Sequence, residues 1–265
     1  MADSTIAMAS NSLGFFNVSL AARFGIVAFD HNNAYKLWYK HIRRGHLPVG
    51  STSEEYLVQQ CAQVKQANNR TKCFVYRNGE VSISWLSSEA KKMYSKADAG
   101  LFLHAGGRPY DEPGNGDPHA HIPNMDQYFL NFSNPSTGRW WNSTLMLGEH
   151  AVSGSPQQTR CCGAVVDGIF VDDSTGLGSE HSTIVRRCGM NAAAVADWNS
   201  KAHAAYVGAW KGVVERGGFG WNLLRDPDGR FALTGGVPPQ PTNLTCAGYG
   251  FPSLRPQCEL RGASC

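Results

Sequence analysis

Two adjacent carboxylates, Asp172 and Asp173, end the apolar run "AVVDGIFVDD" (164–173), and a third, Asp30, ends "RFGIVAFD" (23–30). Carboxylates delivered to strand ends suit glycoside hydrolysis. That reaction sets two carboxyl groups across a sugar ring, one as nucleophile or base and one as an acid whose pKa is raised. Successive strand residues point to opposite faces, so a strand running through both aspartates sends only one into a shared mouth. Asp172 is the first choice for the working carboxylate, Asp173 the second, and Asp30 the candidate partner. The plainer reading of the pair is a turn or a helix N-cap. Other strand ends supply His104 and Asn131 as substrate-binding candidates. Trp38, Tyr110 and Trp221, in loops or near strand ends, offer flat faces for stacking on sugar, whereas Trp140, Trp141 and Trp210 occupy helical core positions.

A rival chemistry sits in "GDPHAHIP". His119 and His121 straddle one residue, so in extended chain they point the same way. With Asp111, Asp117 or Asp172 they would hold a metal that activates water for hydrolysis. The carboxylate reading needs no metal and no cofactor. A third class is a non-catalytic carbohydrate-binding pseudoenzyme. Nucleophilic serine chemistry lacks its Gly-x-Ser-x-Gly, and no Gly-x-Gly-x-x-Gly follows the first strand to bind a dinucleotide.

The elements that must position these groups alternate. Strands are predicted at 23–30, 71–78, 99–104, 126–132, 164–173 and 219–226. Helices are predicted from "STSEEYLVQQCAQVKQAN", "WLSSEAKKMYSKA", "NPSTGRWWNSTLMLGEHA" and the long "AAAVADWNSKAHAAYVGAWKGVVERGG". Strand then helix, repeated, implies parallel strands with right-handed crossovers. The expected fold is α/β, a (β/α) TIM-type barrel incomplete or irregular at its C-terminal end, with the site at the carboxyl ends of its strands. Residues 1–22 are expected to be a disordered or targeting lead, 23–230 the barrel, and 231–265 a Cys/Pro/Gly-rich tail.

"YFLNFSNPSTGRWW" followed by "VDGIFVDDS" resembles a pattern of glycosidase-like (β/α)-barrel proteins. There a strand ending in an Asp-Phe-Thr-Asn-Pro type motif precedes a Trp-Trp helix and then a strand of Asp-Gly-Val-Phe-x-Asp-Asp type. The broader relatives are barrel glycosidases of the α-glucosidase and α-galactosidase kind, in which the strand-end Asp is the nucleophile. The resemblance covers residues 126–175 and implies that role for Asp172 or Asp173. It departs at Asn131, which stands where those proteins carry an acid, and it names no acid/base partner.

The 24 Lys and Arg against 21 Asp and Glu leave a net charge of +3 with no basic stripe, which argues against a nucleic-acid partner. No run of about 18 apolar residues is present to span a membrane. The eight cysteines form no Cys-x-x-Cys pair and fit disulfides better than zinc; Cys246 with Cys258 would close a short loop. Asn-x-Ser/Thr sequons at Asn17, Asn69, Asn131, Asn142 and Asn243 lean the same way, towards the secretory route, although the N-terminus lacks the form of a secretory signal.

Overall fold

The computed structural model describes residues 6–37, 53–95, 100–106, 108–109, 127–148, 161–174, 176–178, 181–225 and 231–235. Its centre is a sheet of parallel strands in the order β1 (Ile6–Ala9), β2 (Ile26–Phe29), β3 (Lys72–Asn78), β8 (Gly168–Asp172) and β9 (Phe219–Arg225). An antiparallel edge strand, β10 (Phe231–Gly235), pairs with β9. Residues 6–22, read in the sequence as a lead, carry β1 and a short helix α1 (Val18–Ala21). Four residues of "IAMA" are too few to show a period, and their partner β2 supplies the hydrogen bonds.

Two predicted strands pair differently from the expectation. Within 126–132, β7 (Gln127–Phe129) runs antiparallel to β4 (Val81–Ile83). Within 99–104, Phe102 forms a single antiparallel bridge to Leu130, and His104 enters a two-residue ladder between β5 (His104–Ala105) and β6 (Arg108–Pro109). Apolar content marks these segments as extended, but the choice of partner depends on the Asn78–Val81 turn. There Asn78 Oδ1 accepts from the backbone N–H groups of Glu80 and Val81, both at 2.8 Å, and turns the chain back.

Five further helices complete the description. α2 (Ser53–Ala67) carries Glu54 and Glu55 in its first turn, where the helix dipole favours them. α3 (Ser87–Met93) follows β4. α4 (Pro135–Trp140) has a proline at its start and an Asn134 cap, and runs on as a π-helical turn, Trp141–Met146. α5 (Ser182–Arg187) precedes α6 (Ala192–Glu215), whose Asn191 cap accepts from Ala194 N. As the sequence predicted, Trp140 and Trp141 are core residues.

Register assigns the two faces of the sheet. Cys73, Val75 and Arg77 of β3 lie level with Asp167, Ile169 and Val171, and Ile169 pairs with Gly220. This is the helix-backed face. Cys61 of α2 forms a disulfide with Cys73, and the Trp210 ring of α6 lies so close over Gly220 that a Cβ there would stand 1.9 Å from it. Tyr76 and Asn78 point to the other face, with Phe170 and Asp172.

Candidate active site

Asp30 follows β2 by one residue and so lies level with Tyr76, because Phe29 pairs with Val75. Tyr76 in turn pairs with Phe170, and Asp172 stands two residues further along on the same face. The carboxylates of Asp30 and Asp172 therefore come to one face, at the carboxyl ends of β2 and β8, with Tyr76 of β3 between them. Strands two places apart lie about 10 Å from each other, and two residues add roughly 7 Å along the strand, so the two Cα atoms are about 12 Å apart.

Tyr76 forms the floor. Its hydroxyl donates to Asp172 Oδ2 at 3.3 Å and accepts from Asn78 Nδ2 at 3.1 Å. Burial and the nearby carboxylates of Asp172, Asp173 and Asp30 push the phenol well above its ordinary pKa, so it remains a donor. Burial also raises Asp172, aided by the charge of Asp173 and opposed by the hydrogen bonds from Asp173 N and Tyr76 and by His31. Asp30 moves the other way. Burial works to raise it, but the closeness and charge of His31, together with Asn32, hold it below the ordinary carboxylate value.

Asp173 departs from the strict alternation expected of a continuing strand. Its φ of 47° takes the chain into the left-handed region, which asparagine and aspartate tolerate better than most residues. That turn keeps its carboxylate beside the same strand: Asp173 Oδ2 accepts from Asn78 Nδ2 at 2.8 Å. Gly79 makes the crossing possible, since a Cβ on it would stand 2.7 Å from the Asp173 carbonyl oxygen. Beyond the aspartates, buried Glu80 holds the following loop. Its carboxylate accepts from Gly176 N at 2.9 Å and lies 3.0 Å from His181 Nε2.

The loop after β2 is braced as firmly. Asn33 donates to the Ala9 carbonyl and accepts from Asn11 N at 3.0 Å, and the Trp85 indole donates to the His31 carbonyl at 2.9 Å. His31 packs its ring 4.4 Å from that of Tyr76. Sequence reasoning missed His31 and Tyr76, and saw Asn78 only as a strand end beside Arg77. Tyr76 reads as one more apolar strand residue, and only the register reveals that it separates two carboxylates.

The other sequence candidates are spread out. His104 stands exposed on β5, and Asn131 donates to the Gly100 carbonyl at 3.3 Å, tying down the 100–101 segment beside Asn134. Trp221 pairs in register with Phe170. Trp38, Tyr110, His119, His121, Asp111, Asp117 and the C-terminal cysteines Cys246 and Cys258 lie outside the described residues. Among the described residues no three His, Cys, Asp or Glu side chains are grouped to hold a metal ion, and no helix is long and apolar enough to cross a membrane. Compared with known proteins, the chain matches no family model and no curated protein.

Proposed function

We propose that this protein hydrolyses a glycosidic bond at the carboxyl ends of its parallel strands, with Asp172 as the general acid and the ionised Asp30 on the basic side. One observation carries the reading: two carboxylates converge on Tyr76 from strands on either side of it, and their surroundings push their pKa values in opposite directions. A carboxyl raised by burial holds more readily to the proton that a leaving alcohol needs, and a lowered one favours the negative charge across the ring. This reverses the role that the family resemblance implies for Asp172, because its burial favours the protonated form. The proposed reaction takes the inverting course, in which a water stands between the acid and the basic side.

The finer architecture belongs to the same proposal. The parallel strands follow one another in chain order without the reversal of a doubly wound sheet, and α2 and α6 back a single face. Both features are those of a (β/α) barrel, whose inner wall would then carry Tyr76, Phe170 and Asp172. The substrate is carbohydrate. The Cys61–Cys73 disulfide supports a secreted protein made in an oxidising compartment.

The test is turnover of a panel of activated aryl glycosides, with the product anomer read by proton NMR. Wild-type protein is expected to cleave one member with inversion, and Asp172→Asn to lose on the order of 10²–10⁴ in kcat/KM on a substrate with a poor leaving group. An Asp172→Asn variant of full activity, or a folded wild type that binds oligosaccharide and cleaves none, removes the proposal.

A further inference from the structure

On the reading above, the remaining question is which atom on the basic side meets the water, and the geometry points away from Asp30 itself. We propose that His31 is the catalytic base and that Asp30 is the positioning residue behind it, the two forming an Asp–His dyad.

The dyad is built into the loop. His31 Nδ1, shielded from solvent, lies 2.7 Å from Asp30 Oδ1, a close contact whose angle falls short of a hydrogen bond in this conformation. The other carboxyl oxygen, Oδ2, accepts from Asn32 Nδ2 at 3.2 Å, so Asp30 is engaged on both oxygens by its own loop. A carboxylate held this way is poorly placed to take a proton from a third molecule. It is close enough that a small rotation of the ring brings Nδ1–H onto it, which would hold the imidazole in one tautomer and balance the charge of the imidazolium. Among the described residues Nε2 has no protein partner, and the side chain keeps 18% of its surface exposed. Trp85 stacks on one side of the ring at 5.6 Å and fixes the residue's own carbonyl, and Tyr76 packs against it at 4.4 Å. An imidazole oriented by an acid, with its far nitrogen open and Asp172 across Tyr76, is the arrangement of a base and an acid on opposite sides of a bound sugar.

The step balances. Water gives a proton to His31 Nε2 as its oxygen bonds the anomeric carbon. The bond from that carbon to the glycosidic oxygen breaks with its electron pair on the oxygen, which takes the carboxyl proton of Asp172. His31 ends as an imidazolium facing the Asp30 carboxylate, Asp172 ends ionised, and exchange with solvent restores both.

The experiment has two arms. In ¹⁵N-histidine NMR of the full chain, neutral His31 is expected to carry its proton on Nδ1 with Nε2 bare, and Asp30→Ala is expected to move the proton to Nε2. In kinetics on the cleaved aryl glycoside, His31→Ala is expected to lower kcat by about 10²–10⁴ with KM nearly unchanged. Added imidazole restores part of that loss, while Asp172→Asn gains nothing from imidazole. A wild-type tautomer with the proton on Nε2, or a His31→Ala variant with wild-type kcat, overturns the dyad. If wild type cleaves no glycoside, the glycosidase reading falls by itself, and the tautomer, which needs no substrate, still decides whether Asp30 poises His31.

Discussion

Glu89 offers the sharpest test of the energetics behind the site. It sits on α3 with 1% of its surface exposed, on the helix-backed side where Arg77 meets Glu54. One carboxylate oxygen accepts from the Ile83 N–H. Burial dominates and raises its pKa from 4.5 to about 8, against that hydrogen bond and the Arg77 charge, and with the repulsion of Glu54 on the same side as burial. The sign follows from proton counting. Above pH 4.5 the unfolded chain sheds this proton, while the folded chain keeps it until about pH 8. The stability is thus fully present below pH 4.5 and falls by about 1.4 kcal/mol per pH unit above it, or roughly 3 kcal/mol by pH 7. Glutamine has the same shape and no proton to lose. Glu89→Gln is therefore expected to stabilise the protein by about 3 kcal/mol at pH 7 and by less than about 1 kcal/mol at pH 5, read by urea unfolding at each pH. A gain equal at both pH values, or a loss at pH 7, would mean that Arg77 holds Glu89 ionised, and the reasoning would fail.

Two substitutions around Asp172 carry opposite signs. Asp173→Asn removes the neighbouring charge and keeps a side chain that tolerates the positive φ, so the basic limb of the pH–rate profile is expected to move to lower pH. Tyr76→Phe removes a hydrogen bond to the carboxylate, so the same limb is expected to move to higher pH; shifts in one common direction would contradict the assignment of Asp172 as the acid. Cys61→Ala opens a loop of sequence separation 12 and is expected to cost about 3 kcal/mol in denaturant unfolding under oxidising conditions, with no loss once wild type is reduced for comparison.

The parts of the site carried by strong local patterns were legible in the sequence. "FGIVAFD" and "VVDGIFVDD" are β-branched runs ending in acids, and they do become β2 and β8 with Asp30 and Asp172 at their ends. The long helix ending before Gly217 was legible from its length and its glycine stop, while its Asn191 cap is seen only in the structure. What was hidden depends on register and turns. Nothing local to "CFVYRN" says that Tyr76 lies between two acids, or that Arg77 faces the helices. The sequence also read 99–104 and 126–132 as staves of the parallel wall, because hydrophobic content reports extension and says nothing of strand direction. The positive φ of Asp173, permitted by the missing Cβ of a glycine elsewhere in the chain, is a non-local property altogether.

The two-sidedness of β3 has a consequence for how this chain tolerates change. Cys73, Val75 and Arg77 pack on the helix-backed side, while Tyr76 and Asn78 meet Asp172 and Asp173 on the other, so neighbouring codons answer to different demands. In a deep mutational scan of 73–78, variants at 73, 75 and 77 would vanish from the pool of well-expressed molecules. At 76 the buried ring must be kept, so only phenylalanine would persist in abundance, and at 78 loss of the amide would open the turn that sends the chain back to Val81.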